Sequence, residues 1–113
     1  MWRALDSVGL REKVESLPKK LDSEIGEEGV LFSGGEIQRL SLAQGLLRGS
    51  EILLLDEVTA NVDSENEKEI INQLANLVKE QGVTVISISH KASFNEFADH
   101  VYTLKDGVII CSQ

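Results

Sequence analysis

Two short apolar runs separated by one amphipathic segment constrain this chain more than any other feature. Ile52-Leu53-Leu54-Leu55 ends in Asp56-Glu57, and Val83-Thr84-Val85-Ile86-Ser87-Ile88 ends just before Ser89-His90. Both read as strands buried in a parallel sheet. Between them, Ile70, Ile71, Leu74, Leu77 and Val78 recur at helical spacing over Glu67–Gln81, and Gly82 ends the segment. Asp63, Glu65, Glu67 and Glu69 lie near its start, where a helix dipole favours anions. Strand, helix and strand in this order imply a right-handed parallel crossover, and so an α/β fold.

The flanking segments are expected to be simpler. Met1 to Ser16 reads as helix, with Leu5, Val8 and Val14 on one face and a break at Gly9. Leu17 to Leu31 reads as irregular, punctuated by Pro18, Gly26 and Gly29 and anchored by Leu17, Leu21 and Ile25. Ser33-Gly34-Gly35-Glu36 has the capping-box form and opens a helix to about Arg48. Ile37, Leu40, Ala43 and Leu47 form its expected buried stripe, and Gly49 suits the residue after its end. A short helix is expected over Ser93–Phe97. Val101–Lys105 and Val108–Cys111 flank Asp106-Gly107, a two-residue hairpin turn.

Composition narrows the function classes. At 113 residues the chain is one domain at most, with an expected radius of gyration of roughly 13 Å. Its longest apolar runs are four residues, against about 20 for a membrane-spanning helix. Met1-Trp2-Arg3-Ala4-Leu5-Asp6 has no apolar leader. Eleven basic against nineteen acidic residues give a net charge of −8, which repels phosphate backbones, so no nucleic-acid partner is expected. The single cysteine, Cys111, forms no internal disulfide or Cys-based metal site. All of this suits the cytosol.

Several residues are placed for chemistry. The two glycines after Ser33 let a backbone approach a ligand, and free N–H groups at a helix start attract phosphate; the same segment is also an ordinary capped helix. A carboxylate at the C-terminal end of a parallel strand, as at Asp56, faces the ligand crevice of an α/β sheet. Glu57 beside it has the chemistry of a general base; both are equally two solvated acids at a strand end. Asp63 is either a helix N-terminal acid, part of a contact loop, or both. His90 follows a strand, where a lone histidine is often structural. His100 belongs to no motif and reads as surface.

Phe32-Ser33-Gly34-Gly35-Glu36, Gln38-Arg39, Ile52–Glu57, Thr59-Ala60-Asn61-Val62-Asp63 and His90 stand in a fixed order. Together they resemble the C-terminal part of an ATP-binding-cassette (ABC) ATPase domain of the exporter type, over nearly the whole chain. Leu5, Val8-Gly9-Leu10, Leu17-Pro18, Leu21-Asp22, Ile25 and Gly29 resemble the helical subdomain that precedes the signature motif. Ala98-Asp99-His100-Val101 and Leu104-Lys105-Asp106-Gly107 look like the family's C-terminal end. The resemblance implies that Ser33, Gly34, Gly35 and Glu36 form the signature motif, contacting a nucleotide held mainly by a partner domain. It implies Asp56 as the Walker B ligand of Mg²⁺, mostly through water, Glu57 as general base, Asp63 in the D-loop at the dimer interface, and His90 as the switch histidine. It divides the chain into a helical portion, 1–49, and a P-loop core portion, 50–113. The implied cofactors are ATP and Mg²⁺. The implied partners are a second such domain and a transporter membrane domain, at the cytoplasmic face of a membrane.

The sequence departs from the family at three places. Glu36 replaces the more usual glutamine, a common variation, Gln44 the usual arginine, and Val58 the usual proline or alanine. No Gly-x-x-x-x-Gly-Lys-Ser/Thr occurs, so the Walker A cradle is absent, with the adenine-stacking aromatic and the Q-loop glutamine. Two rivals remain: the C-terminal lobe of a chromosome-maintenance or DNA-repair ATPase head, and a non-catalytic docking module. Against the first, Gln38-Arg39-Leu40-Ser41-Leu42-Ala43 and the 23-residue step from Ser33 to Asp56 look transporter-like. In the family a Walker A strand lies between those matching Val83–Ile88 and Val101–Lys105. Its absence leaves a gap with unpaired backbone groups. Either Val101–Lys105 moves in to pair with Val83–Ile88, or a second copy supplies an edge; self-association is the expected outcome.

Overall fold

The computed structural model describes residues 1–26, 29 and 31–113. Its elements are α1 (Trp2–Ser7), α2 (Arg11–Glu15), a 3-10 turn (Lys20–Asp22), α3 (Gly34–Leu47), β1 (Ile52–Asp56), α4 (Ser64–Gln81), β2 (Thr84–Ile88), α5 (Ala92–Phe97), β3 (Tyr102–Lys105) and β4 (Val108–Cys111). The expected crossover is present. β1 and β2 pair in parallel, in register from Ile52 opposite Thr84 to Asp56 opposite Ile88. α4 connects them, capped by Asp63 at its start and ended by Gly82 in the left-handed conformation.

One core joins the helical and strand portions. Leu5, Val8, Leu10 and Val14, from the first two helices and the turn joining them, meet Leu42 and Ala43 of α3, Leu53 and Leu55 of β1, and Ile70, Leu74 and Leu77 of α4. The break at Gly9 has the positive φ (71°) that lets α1 and α2 fold back. Leu74 is wholly enclosed, so truncating it to alanine should cost about 2–5 kcal/mol.

Four expectations need correction. The strands are not covered on both faces: Leu53 and Leu55 are buried, whereas Leu54 is 75% exposed, and Ile52, Ile86 and Ile88 are also exposed. An apolar run of four cannot by itself separate one-sided from two-sided burial. The buried stripe of α3 is rotated: Gly35, Arg39, Leu42 and Ala43 point inward, while Ile37 and Leu47 lie exposed. An ion pair between Arg39 and Glu69 of α4 draws the arginine inside and turns the helix with it. Leu21 and Ile25 are exposed and do not belong to the core among the described residues; residues 27, 28 and 30 of that stretch lie outside the described residues.

The fourth correction concerns compactness, and its origin is the C-terminal hairpin. It forms on Asp106 (φ 50°) and Gly107 (φ 76°), the left-handed pair a two-residue turn requires. However, β3 and β4 make a separate two-stranded sheet, and β3 does not move in to pair with β2. All eight of their residues are exposed. The molecule is accordingly elongated, 50 × 28 × 23 Å, with a radius of gyration of 15.4 Å where a compact chain of this length has about 13 Å.

Candidate functional site

The parallel ladder runs one residue past β1, because the Glu57 N–H donates to the Ile88 carbonyl at 2.9 Å. There the chain turns sharply: Glu57 has φ 48°, a left-handed backbone unusual for a residue with a side chain. Tight turns follow, with Ala60 N–H donating to Glu57 O (3.0 Å) and Val62 N–H to Thr59 O (3.2 Å). Across the ladder, β2 ends in a second turn, where Lys91 N–H donates to Ser89 Oγ at 3.1 Å and brackets His90. The two turns bring His90 Nε2 to 3.0 Å from Glu57 Oε1. The histidine side chain is 85% exposed, so the pair opens to solvent at the carboxyl ends of the strands. Asp56 stands beside it at the exposed end of β1.

A polar network backs this pair. Lys91 Nζ donates to the carbonyls of Thr59 (2.7 Å) and Val62 (3.2 Å) and to the Glu67 carboxylate. Ser93 Oγ donates to the other oxygen of Glu67. Hydrogen bonds from Lys91 and Ser93 hold the Glu67 carboxyl below the usual carboxylate range, against the opposing push of burial. The loop from Thr59 to Val62 and the residue after His90 are thereby tied to the first turns of α4. Asp63 caps that helix, accepting from Asn66 N–H at 2.9 Å and Glu65 N–H at 3.1 Å. The Asn66 and Glu65 bonds keep its carboxyl below the ordinary value.

The glycine-rich turn at the start of α3 is the second candidate region. Ser33 Oγ accepts from Glu36 N–H at 3.1 Å, and Glu36 Oε1 accepts from Ser33 N–H at 2.9 Å, completing the capping box. Gly35 sits against Asn66 so closely that a Cβ there would lie 2.9 Å from the asparagine Cβ; at Gly34 the nearest atom is the Asn61 carbonyl oxygen, at 3.7 Å. The start of α3 is therefore packed on the loop that leads into α4. Lys13 of α2 reaches Glu36 Oε1 at 2.6 Å. Burial pushes the Glu36 carboxyl up, but Lys13 and the Ser33 N–H outweigh it and hold it low.

Of the residues singled out in the sequence, Glu57 and His90 touch one another, and Ser33 and Glu36 cap one helix. Among the described residues no hydrogen bond or ion pair joins Ser33 or Glu36 to Asp56, Glu57 or His90. His100 is at the surface, tilted against Tyr102. No group of three or more metal-binding side chains gathers among the described residues. A single strand-end carboxylate nevertheless fits Mg²⁺, which keeps several waters and takes one or two carboxylates with phosphate oxygens. Lys13 and Lys91 went unnoticed in the sequence, because their acceptors lie 23 to 32 residues away and no periodic pattern connects them.

The family model described as ABC transporter matches residues 1–60. The chain is 42% identical over 109 residues to a multidrug resistance ABC transporter ATP-binding and permease protein of Lactococcus lactis subsp. cremoris, covering 96% of this chain and 18% of that one. It is 43% identical over 108 residues to an ATP-dependent lipid A-core flippase of Nitrosococcus oceani, with the same two coverages. Among solved structures, a bacterial Atm1-family ABC exporter with ATP bound superimposes with a TM-score of 0.74 at 32% identity, covering 94% of this chain and 18% of that one. The chain thus spans 18% of the length of these relatives. Among the described residues no helix is long and apolar enough to cross a membrane.

Proposed function

Because the chain belongs to the ABC transporter family, corresponding to the C-terminal part of an exporter-type ATP-binding domain, we propose that it supplies the hydrolytic and cross-dimer half of an ATPase that powers export. The observation that carries this reading is the Glu57–His90 contact at the ends of two parallel strands. In this reading Glu57 accepts a proton from the attacking water, and His90 orients Glu57 and bonds the γ-phosphate. Asp56 would hold Mg²⁺, and the ion would supply neutralisation of phosphate charge. Ser33, Gly34, Gly35 and Glu36 face the phosphate of a nucleotide seated on a second ATP-binding domain, and Asp63 lies at that interface. Residues 1–49 serve as the helical portion and 50–113 as the core portion.

ABC ATPases as a family use nucleotide and Mg²⁺; here ATP and Mg²⁺ are the proposed pair. The relatives are ATP-binding and permease proteins or flippases, which favours a transporter over a chromosome-maintenance ATPase. A membrane domain and a second ATP-binding domain are the proposed partners, at the cytoplasmic face of a membrane. The test is Glu57→Gln in an exporter polypeptide that contains this segment and a Walker A half. Nucleotide binding should persist while turnover falls about 10²–10⁴-fold. Turnover equal to wild type would remove Glu57 from the role of base.

A further inference from the structure

Glu36 puts a full negative charge in the first turn of α3, where the family that this chain resembles more usually carries a neutral glutamine and glutamate is a common variation. The carboxylate suits the helix dipole on its own account. A phosphate approaching the same N–H groups, however, would meet a like charge. Lys13 answers that charge directly: its Nζ lies 2.6 Å from Glu36 Oε1, although it comes from α2, 23 residues earlier. The ammonium also sits 4.7 Å from the centre of the Phe32 ring, so a cation–π contact fixes it from a second side. The pair is sheltered, with the Glu36 side chain 17% exposed, and so is less screened than a surface bridge.

We propose that Lys13 is a positioning residue for the signature turn: the counter-charge that lets a glutamate stand there without repelling nucleotide phosphate. The proposal rests on the reading that Ser33–Glu36 faces a phosphate. It assigns Lys13 to the nucleotide affinity of the site, although it lies on another helix and outside every motif. What matters is then the sum of charge at the turn, and not the ion pair as a structural tie.

A charge cycle separates the two. Lys13→Met, Glu36→Gln and the double variant are compared with wild type in an exporter polypeptide carrying this segment, reading the half-saturating ATP concentration for turnover. Lys13→Met should raise it about two- to fivefold, the range for one charge at a helix start. Glu36→Gln should lower it, since Lys13 then stands unopposed, and the double variant should return to near wild type. Lys13→Arg, which keeps the charge, should match wild type, and Lys13→Gln replaces Lys13→Met if the latter does not fold. A Lys13→Met or Lys13→Gln protein with unchanged ATP dependence overturns the proposal. So does a double variant as weak as the lysine variant alone, or a Glu36→Gln protein weakened like Lys13→Met, since both describe a merely structural pair. Glu57→Gln is measured alongside: if it leaves turnover intact, the ATPase reading itself fails, whereas a flat charge cycle with an inactive Glu57→Gln protein sinks only the role of Lys13.

Discussion

Glu57 accepts a left-handed backbone that costs a non-glycine residue about 1–3 kcal/mol. The Glu57 N–H bond to Ile88 and the clamp of Lys91 on Thr59 and Val62 hold it there. The network gives a pH prediction with a definite sign. The folded-state pKa of Glu67 lies below its ordinary 4.5. Its contribution to stability is therefore fully present above the unfolded value and is lost as pH falls through the lower, folded one. In urea titrations of the ATP-binding domain, the stability advantage of wild type over Glu67→Gln should shrink as pH falls through the ordinary 4.5 and on through the lower folded-state value; a constant difference would remove Lys91 and Ser93 as its cause. Asp56, Glu57 and His90 were legible as candidates because each ends or follows an apolar run. Their mutual distance was not, since it depends on a turn whose φ no residue type announces. A glutamate is among the last residues one would assign to it.

At the scale of elements, the contact between α3 and the start of α4 is the most exacting. Gly35→Ala would force a Cβ to 2.9 Å from Asn66 Cβ, and overpacking of this kind typically costs about 1–3 kcal/mol. Gly34→Ala meets only an ordinary 3.7 Å contact, so its unfolding free energy should stay level or rise by up to about 1 kcal/mol, the helix preference for alanine, with the denaturation midpoint moving the same way. Equal midpoints for the two variants would mean that the helices do not touch as described. Ser33→Ala, which removes the cap, should cost about 1 kcal/mol in the same assay. The capping box, the crossover and the Asp106-Gly107 turn were readable because each depends on local chemistry. The inward face of α3 was not: Arg39 counts as polar in any periodicity, yet it is buried here by an ion pair with a residue 30 positions away.

Over the whole molecule, Leu54, Ile86 and Ile88 lie exposed, and β2 has no second strand beside it among the described residues. On its own, this 113-residue chain should self-associate in light scattering. Leu54→Lys should shift it toward monomer; a monodisperse wild-type monomer would contradict the expectation. The isolated chain should also hydrolyse no ATP and bind Mg-ATP no more tightly than about millimolar, roughly −4 kcal/mol, which calorimetry can check. The extent of strand coverage was hidden from the sequence because apolar content records what a face can bury and not what is present to bury it. The Gly35–Asn66 approach has one more consequence at this scale. Backbone-close packing there and the Arg39–Glu69 ion pair a turn later join α3 to α4 at two successive levels. The glycine turn and the loop before Asp63 thus share one contact surface, so a larger side chain at Gly35 would press on the first turn of α4 as well as on α3.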